Sequence, residues 1–278
     1  MEIRQHSEAV GAQVSGVDVR NLGDDQFAEL RDAFHRHGVL FFHEQSLTPE
    51  DHIAFAQRWG PININRFFRP VDGYPQIAEV LKEPDQTANI GGGWHTDHSY
   101  DHEPAMGSVL YALEIPEVGG DTLFAGMGAA YAALDDETKE RIAGLHAEHS
   151  NRHVFGAEAT YRRGMDNRLG NPDLATQDAV HPIVINHPAT GEHLLYVNPG
   201  FTRRIVELEE EESSKLLWSL YQHAMKPEFH TRWQWQEGSL AMWDNRSTWH
   251  FAQNDYQGQR RYLHRITIEG TRLTGAAT

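Results

Sequence analysis

Ser239-Leu240-Ala241-Met242-Trp243-Asp244-Asn245-Arg246 is a short apolar run that stops in a polar turn. A run of this length, bounded by turn residues, reads as a buried strand, because a helix needs more residues to form. The signature recurs at Ser108–Ala112, Thr122–Ala125, Ile183–Asn186, Leu194–Asn198 and Tyr262–Ile268, within boundaries of Gly, Pro, Asn or Asp. Short strands that are widely separated, with one long helical insertion, predict an antiparallel sandwich or jelly roll. Alternating parallel βαβ units fit the pattern less well. The expected fold is mainly β with flanking helices.

The helices are legible from apolar spacing. Asp24-Asp25 precede Phe27, Leu30 and Phe34, an amphipathic repeat that Gly38 ends, and Val39-Leu40-Phe41-Phe42 follows as a strand. Thr48-Pro49-Glu50-Asp51 reads as a capped helix start, with Ile53, Ala54, Phe55 and Trp59 on the inner face. Further helices are expected over about 127–145 and 208–225. The acidic run Glu209–Glu212 then falls in a first turn, where it complements the helix dipole. No repeat, low-complexity tract or linker interrupts the chain, so one domain is expected over residues 1–278.

Composition excludes several classes. Forty acidic against 24 basic side chains give a formal charge of -16, which repels phosphate backbones and argues against nucleic acid as a partner. There is no apolar run of membrane-spanning length and no apolar leader in Met1-Glu2-Ile3-Arg4-Gln5-His6, so neither a membrane partner nor a signal is expected. The absence of cysteine removes disulfides, thiolate nucleophiles and iron–sulfur clusters, and fits a cytoplasmic protein. The 18 histidines direct attention to a metal site.

Trp94-His95-Thr96-Asp97 is the most informative segment for chemistry. On a strand, residues i and i+2 share a face, so His95 and Asp97 can bind one cation together. His250, beyond the apparent strand Leu240–Trp243 and the turn Asp244-Asn245-Arg246, is the strongest candidate for a third ligand. Two His and one carboxylate make the facial triad of non-haem Fe(II) oxygenases, which leaves three adjacent positions open. By the same spacing rule His98 points away from the cation, as a pocket-wall or supporting residue. Arg261 and Arg265 are an even number of residues apart on a strand, and two inward arginines are costly to bury unless anions meet them. Gly91-Gly92-Gly93 lacks the Lys-Ser/Thr of a phosphate loop.

These residues, together with Gly16-Val17-Asp18-Val19-Arg20, Gly119-Gly120-Asp121-Thr122, His187-Pro188 with Gly191, and Trp243-Asp244-Asn245-Arg246, lie in family order. The chain resembles the taurine dioxygenase / 2,4-dichlorophenoxyacetate dioxygenase family of Fe(II)- and 2-oxoglutarate-dependent oxygenases over nearly its whole length. The resemblance implies a double-stranded β-helix, a cupin-like jelly roll whose mouth holds the iron. It implies His95, Asp97 and His250 as iron ligands, Thr122 and Arg261 on the distal carboxylate of 2-oxoglutarate, and Arg265 on the substrate's anionic group. Fe(II), 2-oxoglutarate and O2 are the implied cofactor and co-substrates, with succinate and CO2 released. The retained carboxylate of Asp97 favours hydroxylation over halogenation.

Alignment to the family also places Asn65, Phe68, Gly91 and Tyr100 near the substrate, and Gly91 removes a polar partner that taurine-using members have. A small organic anion bulkier or more apolar than taurine is therefore expected: a sulfonate, a sulfate ester or an aryloxyalkanoate-like carboxylate. The loop 156–177 is expected over the mouth, with Tyr161, Arg162 and Arg163 as contacts. Relatives commonly self-associate, which makes a homo-oligomer an expectation. The competing readings are a metal-binding jelly roll acting as a ligand sensor, a cupin-type hydrolase or isomerase, and an oxygenase for a non-anionic metabolite.

Overall fold

The computed structural model of the chain describes residues 1–276 apart from 158, 160–164, 166, 167 and 170–175. Strands and helices are numbered along the chain. A nine-stranded sheet runs in the order β1 (Glu2–Gln5), β2 (Ala12–Ser15), β3 (Val39–Phe42), β15 (Leu240–Asp244), β7 (Gly107–Glu114), β17 (Arg261–Ile268), β6 (Tyr74–Lys82) and β5 (Pro70–Val71), with β4 (Ile62–Asn63) also on β17. A second sheet is β14 (His230–Trp233), β8 (Thr122–Gly126) and β16 (Thr248–Ala252). Two smaller sheets join β10 (Asp178–Pro182), β9 (His146–Ser150) and β13 (Thr202–Ile205), and pair β11 (Val184–Asn186) with β12 (His193–Leu195).

The burial of β3 and β15 explains why both read as continuous apolar runs. Leu40, Phe42, Leu240 and Met242 face a core shared with Leu30, Phe34 and Phe55 of the helices α1 (Asp24–His37) and α2 (Pro49–Gln57). The alternate residues Val39, Phe41, Ala241 and Trp243 face a second core, with Leu110, Phe124 and Leu263, between the two sheets. A strand covered on both sides loses its polar alternation. On the far side of the second sheet, α3 (Met127–Ala132) and α5 (Glu210–Ala224) pack Met127, Leu216 and Leu220 against Trp249. Helices thus flank two face-to-face sheets, the layering of a jelly roll.

Local signals behave as their chemistry requires. Thr48 Oγ1 accepts from Asp51 N at 3.2 Å while Asp51 Oδ2 accepts from Thr48 N at 3.0 Å, a reciprocal cap. Gly38 ends α1 in the left-handed region at φ 71. Two expectations change. The segment 127–145 is two helices, because Asp135 caps a new start at α4 (Asp136–Ile142). The β2–β3 pair is parallel, since α1 carries the chain across between them, so the sheet contains one βαβ unit among antiparallel neighbours. Among the described residues, no helix is long and apolar enough to cross a membrane.

Candidate metal and 2-oxoacid site

The second sheet and β17 aim their side chains at one cavity of about 420 Å³. In β8 and β16 the register sets Phe124 opposite His250 and Thr122 opposite Ala252. On the facing sheet Arg261, Leu263 and Arg265 lie opposite Lys82, Val80 and Ala78 of β6. The inward alternation of both sheets therefore brings Thr122, His250, Arg261 and Arg265 into the same cavity wall.

His95 and Asp97 reach this wall differently from the expectation. They do not lie on a strand. His95 makes a single bridge to His250, its N–H donating to His250 O at 3.1 Å and His250 N–H donating back to His95 O at 2.8 Å, after which the chain turns. That turn still presents both side chains to the cavity. His95 Nε2 lies 3.7 Å from Asp97 Oδ1, and His250 Nε2 lies 3.8 Å from Asp97 Oδ2. The three residues can each offer one ligand atom within 4.8 Å of the others. His98, with φ 61, swings away and contacts Asp101 Oδ2 through Nδ1 at 2.9 Å, which takes it out of the donor set.

The donors fit a divalent cation. His95 Nδ1 is 2.8 Å from Gly93 O and so carries the proton, leaving the Nε2 lone pair for a metal. Burial lowers the pKa of both His95 and His250, keeping the imidazoles neutral as ligation requires. Burial would raise the Asp97 carboxyl, but the Arg265 guanidinium outweighs it and holds the group well below the usual carboxylate range. Ser108 Oγ donates to Asp97 Oδ2 at 3.1 Å and fixes its orientation. Two glycines admit backbone against the His95 ring. A Cβ on Gly91, at φ +77, would stand 3.3 Å from His95 Cε1, and one on Gly200 would stand 2.7 Å from His95 Cβ.

A second group fits a carboxylate. Arg261 is buried; its Nε donates to Gly120 O at 3.0 Å, while its Nη2 has no hydrogen-bond partner. An unsatisfied buried guanidinium N–H carries a desolvation cost that an anionic ligand removes. Thr122 Oγ1 accepts from Trp235 Nε1 at 2.9 Å, so its own hydroxyl proton is free to donate.

Of the residues expected near the substrate, Phe68, Gly91 and Tyr100 line the cavity and Asn65 does not. Asn65 Oδ1 instead accepts from the backbone N–H of Phe67 and Phe68 at 2.8 and 2.9 Å, so its role is to shape the turn that delivers Phe68. Phe155, Phe201 and His153 also line the cavity, and sequence spacing gave no sign of them. Arg265 lies over the Phe68 ring at 4.7 Å and directs Nη1 to both Asp97 oxygens, at 3.3 Å each. The expected lid contacts Tyr161, Arg162 and Arg163 lie outside the described residues.

In a second group of three potential donors, His35, His187 and Asp244, the last two are already engaged. His187 Nδ1 accepts from the N–H of Ala189 and Thr190, so its Nε2 carries the proton and donates to Asp244 Oδ2 at 3.0 Å. Arg246 neutralises the same carboxylate through Nε at 2.8 Å. This is a buried brace, and it explains His187-Pro188 without a metal.

A family model described as "Taurine catabolism dioxygenase TauD, TfdA family" matches residues 2–267. An alkylsulfatase of Acinetobacter baylyi is 35% identical across 99% of this chain and 87% of its own length. The (S)-phenoxypropionate/alpha-ketoglutarate-dioxygenase of Sphingobium herbicidovorans is 32% identical across 94% of this chain and 92% of its own. Among solved structures, a putative alpha-ketoglutarate-dependent taurine dioxygenase from Burkholderia xenovorans superposes with a TM-score of 0.84 at 35% identity, over 99% of this chain and 94% of that one. AAD-2 in complex with Mn(II) and N-oxalylglycine superposes at 0.80 with 32% identity, over 98% of each chain. A match of this extent, on a fold and a donor set of the same kind, makes the chain a member of the TauD, TfdA dioxygenase family.

Proposed function

We propose that this chain hydroxylates a small organic anion with an apolar body, such as a sulfonate, a sulfate ester or an aryloxyalkanoate-like carboxylate. The reaction class is that of an Fe(II)- and 2-oxoglutarate-dependent dioxygenase. Bound Fe(II) supplies the oxidising chemistry, with O2 and 2-oxoglutarate consumed and succinate and CO2 released. In this reading His95, Asp97 and His250 hold the metal, and Arg261 grips the distal carboxylate of 2-oxoglutarate with a hydrogen bond from Thr122. Arg265 meets the substrate's anionic group, and Phe68, Tyr100 and Gly91 border its body. Asn65 acts only through the turn it caps.

The single observation that carries the reading is the pairing of a three-donor metal centre with a separate, under-satisfied buried arginine in one cavity. A sensor needs the first and has no use for the second. The body of the substrate is read from the walls: Phe68, Tyr100, Phe155 and Phe201 form one apolar cluster, where a hydrocarbon or aryl group is stabilised by burial. Residues 1–278 are taken as one catalytic domain in a cytoplasmic homo-oligomer. Arg265's contact with Asp97 favours, as a second reading, an oxygenase for a neutral metabolite.

The test is 2-oxoglutarate-dependent O2 uptake with Fe(II) over sulfonates, sulfate esters, aryloxyalkanoates and their neutral analogues. Anionic compounds should couple succinate formation to their own oxidation, and Arg265→Ala should weaken their binding while leaving 2-oxoglutarate affinity near normal. Equal turnover of neutral analogues would transfer the assignment to the second reading.

A further inference from the structure

We propose that Arg265 links the two ligands of this site, so that a divalent metal and an anionic substrate each tighten the binding of the other. The substrate half of this rests on Arg265 being the anion's partner; the metal half does not.

The geometry places two cations on one carboxylate. Arg265 Nη1 approaches Asp97 Oδ1 and Oδ2 at 3.3 Å each, and these are the same oxygens that face His95 Nε2 and His250 Nε2. Both Arg265 and Asp97 are buried, so water screens their interaction weakly. Among the described residues, Asp97 is the one carboxylate within ion-pairing distance of Arg265. Elsewhere on the guanidinium, Nε is buried without a hydrogen-bond partner, and one face rests on the Phe68 ring, which offers no countercharge.

A divalent ion on two neutral imidazoles and one carboxylate leaves a net charge of about +1 beside a guanidinium of the same sign. Metal entry therefore withdraws from Arg265 the countercharge that Asp97 supplies. An anion seated on Arg265 restores it, so the metal binds more tightly when the anion is present. Thermodynamic reciprocity then requires the anion to bind more tightly when the metal is present. A residue that merely braced the metal ligands would have the opposite signature, since its loss would loosen the metal.

The experiment is calorimetric titration of Mn(II) into the full chain without 2-oxoglutarate, in the presence of butane-1-sulfonate or of butan-1-ol. Binding of the sulfonate itself is measured in the same instrument. In the parent protein the sulfonate should tighten Mn(II) by roughly 5- to 150-fold over the alcohol, the usual range for coupled sites. Arg265→Gln should tighten Mn(II) by a similar factor with no anion added, and the sulfonate should then have no further effect. Arg265→Lys keeps the charge and should keep the parent's Mn(II) affinity. The proposal is overturned if bound sulfonate leaves Mn(II) affinity unchanged, if it tightens Mn(II) equally in Arg265→Gln, or if Arg265→Gln weakens the metal. Should Arg265→Gln fail to fold, the parent and Arg265→Lys titrations decide. If the parent binds no sulfonate at all, the anion assignment of Arg265 falls, while the Mn(II) affinity of Arg265→Gln still upholds or overturns the electrostatic half.

Discussion

Replacing Arg261 with leucine should weaken 2-oxoglutarate and leave the fold as stable as before, or more so. Leucine keeps an apolar stem in the space beside Trp235, whose ring centre is 5.8 Å from the guanidinium carbon. Loss of charge-assisted hydrogen bonds to a carboxylate costs about 1.5–3 kcal/mol, or roughly 10- to 150-fold in Kd. The stability ledger has two entries of opposite sign. Removing the buried, unpartnered Nη2 relieves about 1–3 kcal/mol, and losing the bond from Nε to Gly120 O gives back about 1 kcal/mol. The net is about 0–2 kcal/mol in favour of the variant, which at roughly 2–4 °C per kcal/mol is a melting temperature unchanged or up to about 8 °C higher. Equilibrium binding of 2-oxoglutarate to the Mn(II) protein and a thermal melt of the metal-free protein measure the two quantities separately. A variant that melts far lower with unchanged 2-oxoglutarate affinity would refute the reasoning and make Arg261 a structural brace.

Further outcomes follow from the same geometry. Asp97→Asn removes the charge that Arg265 and both imidazoles face, and should abolish 2-oxoglutarate-dependent O2 uptake; retained turnover in a folded variant would remove Asp97 from the site. Gly200→Ala forces a Cβ to 2.7 Å from His95 Cβ and should weaken Mn(II) by roughly 10- to 100-fold, as loss of a ligand's supporting contacts does, read by calorimetry. Arg246→Leu leaves Asp244 buried beside His187 without its cation, and should cost about 3–5 kcal/mol in a guanidinium denaturation series. Burial lowers the pKa of His52 to about 3, below the 6.5 of the unfolded chain, so its neutral form stabilises the fold fully above pH 6.5. That contribution is lost as pH falls toward 3, at about 1.4 kcal/mol per pH unit, and a His52→Phe protein should show a flatter acid limb in pH-dependent melts.

The fold was legible where burial leaves a mark on sequence. The runs at Val39–Phe42 and Leu240–Trp243 are apolar throughout because both faces are covered, and the helix starts at Asp24 and Thr48 carry their own caps. Less legible was whatever depends on partners distant in sequence. β16 contains His250 between aromatic neighbours and reads as a strand only once β8 is set beside it. The turn at 97–100 does the work assigned to a strand, with a lone bridge to His250 positioning His95. At the site, donor identity was readable from His95, Asp97 and His250, whereas Asn65 and Arg265 were readable only in part. Spacing places a side chain near a cavity without saying which neighbour it satisfies first: Asn65 turned to its own loop, and Arg265 to Asp97.

The mutual backbone bonds between His95 and His250 also tie together two parts of the chain made far apart in time. A chain emerging from synthesis displays His95 and Asp97 long before β16 exists, and so offers a passing ion two donors in an unclosed loop. The third donor arrives only when the late-made strand docks beside β8 and completes a contact between distant parts of the sequence, the kind of contact that forms slowly. The full set of three donors therefore exists only after that docking. Amide exchange at His95 and His250 should slow on Mn(II) addition more than at any pair of residues in α1, because the ion stabilises that closure directly.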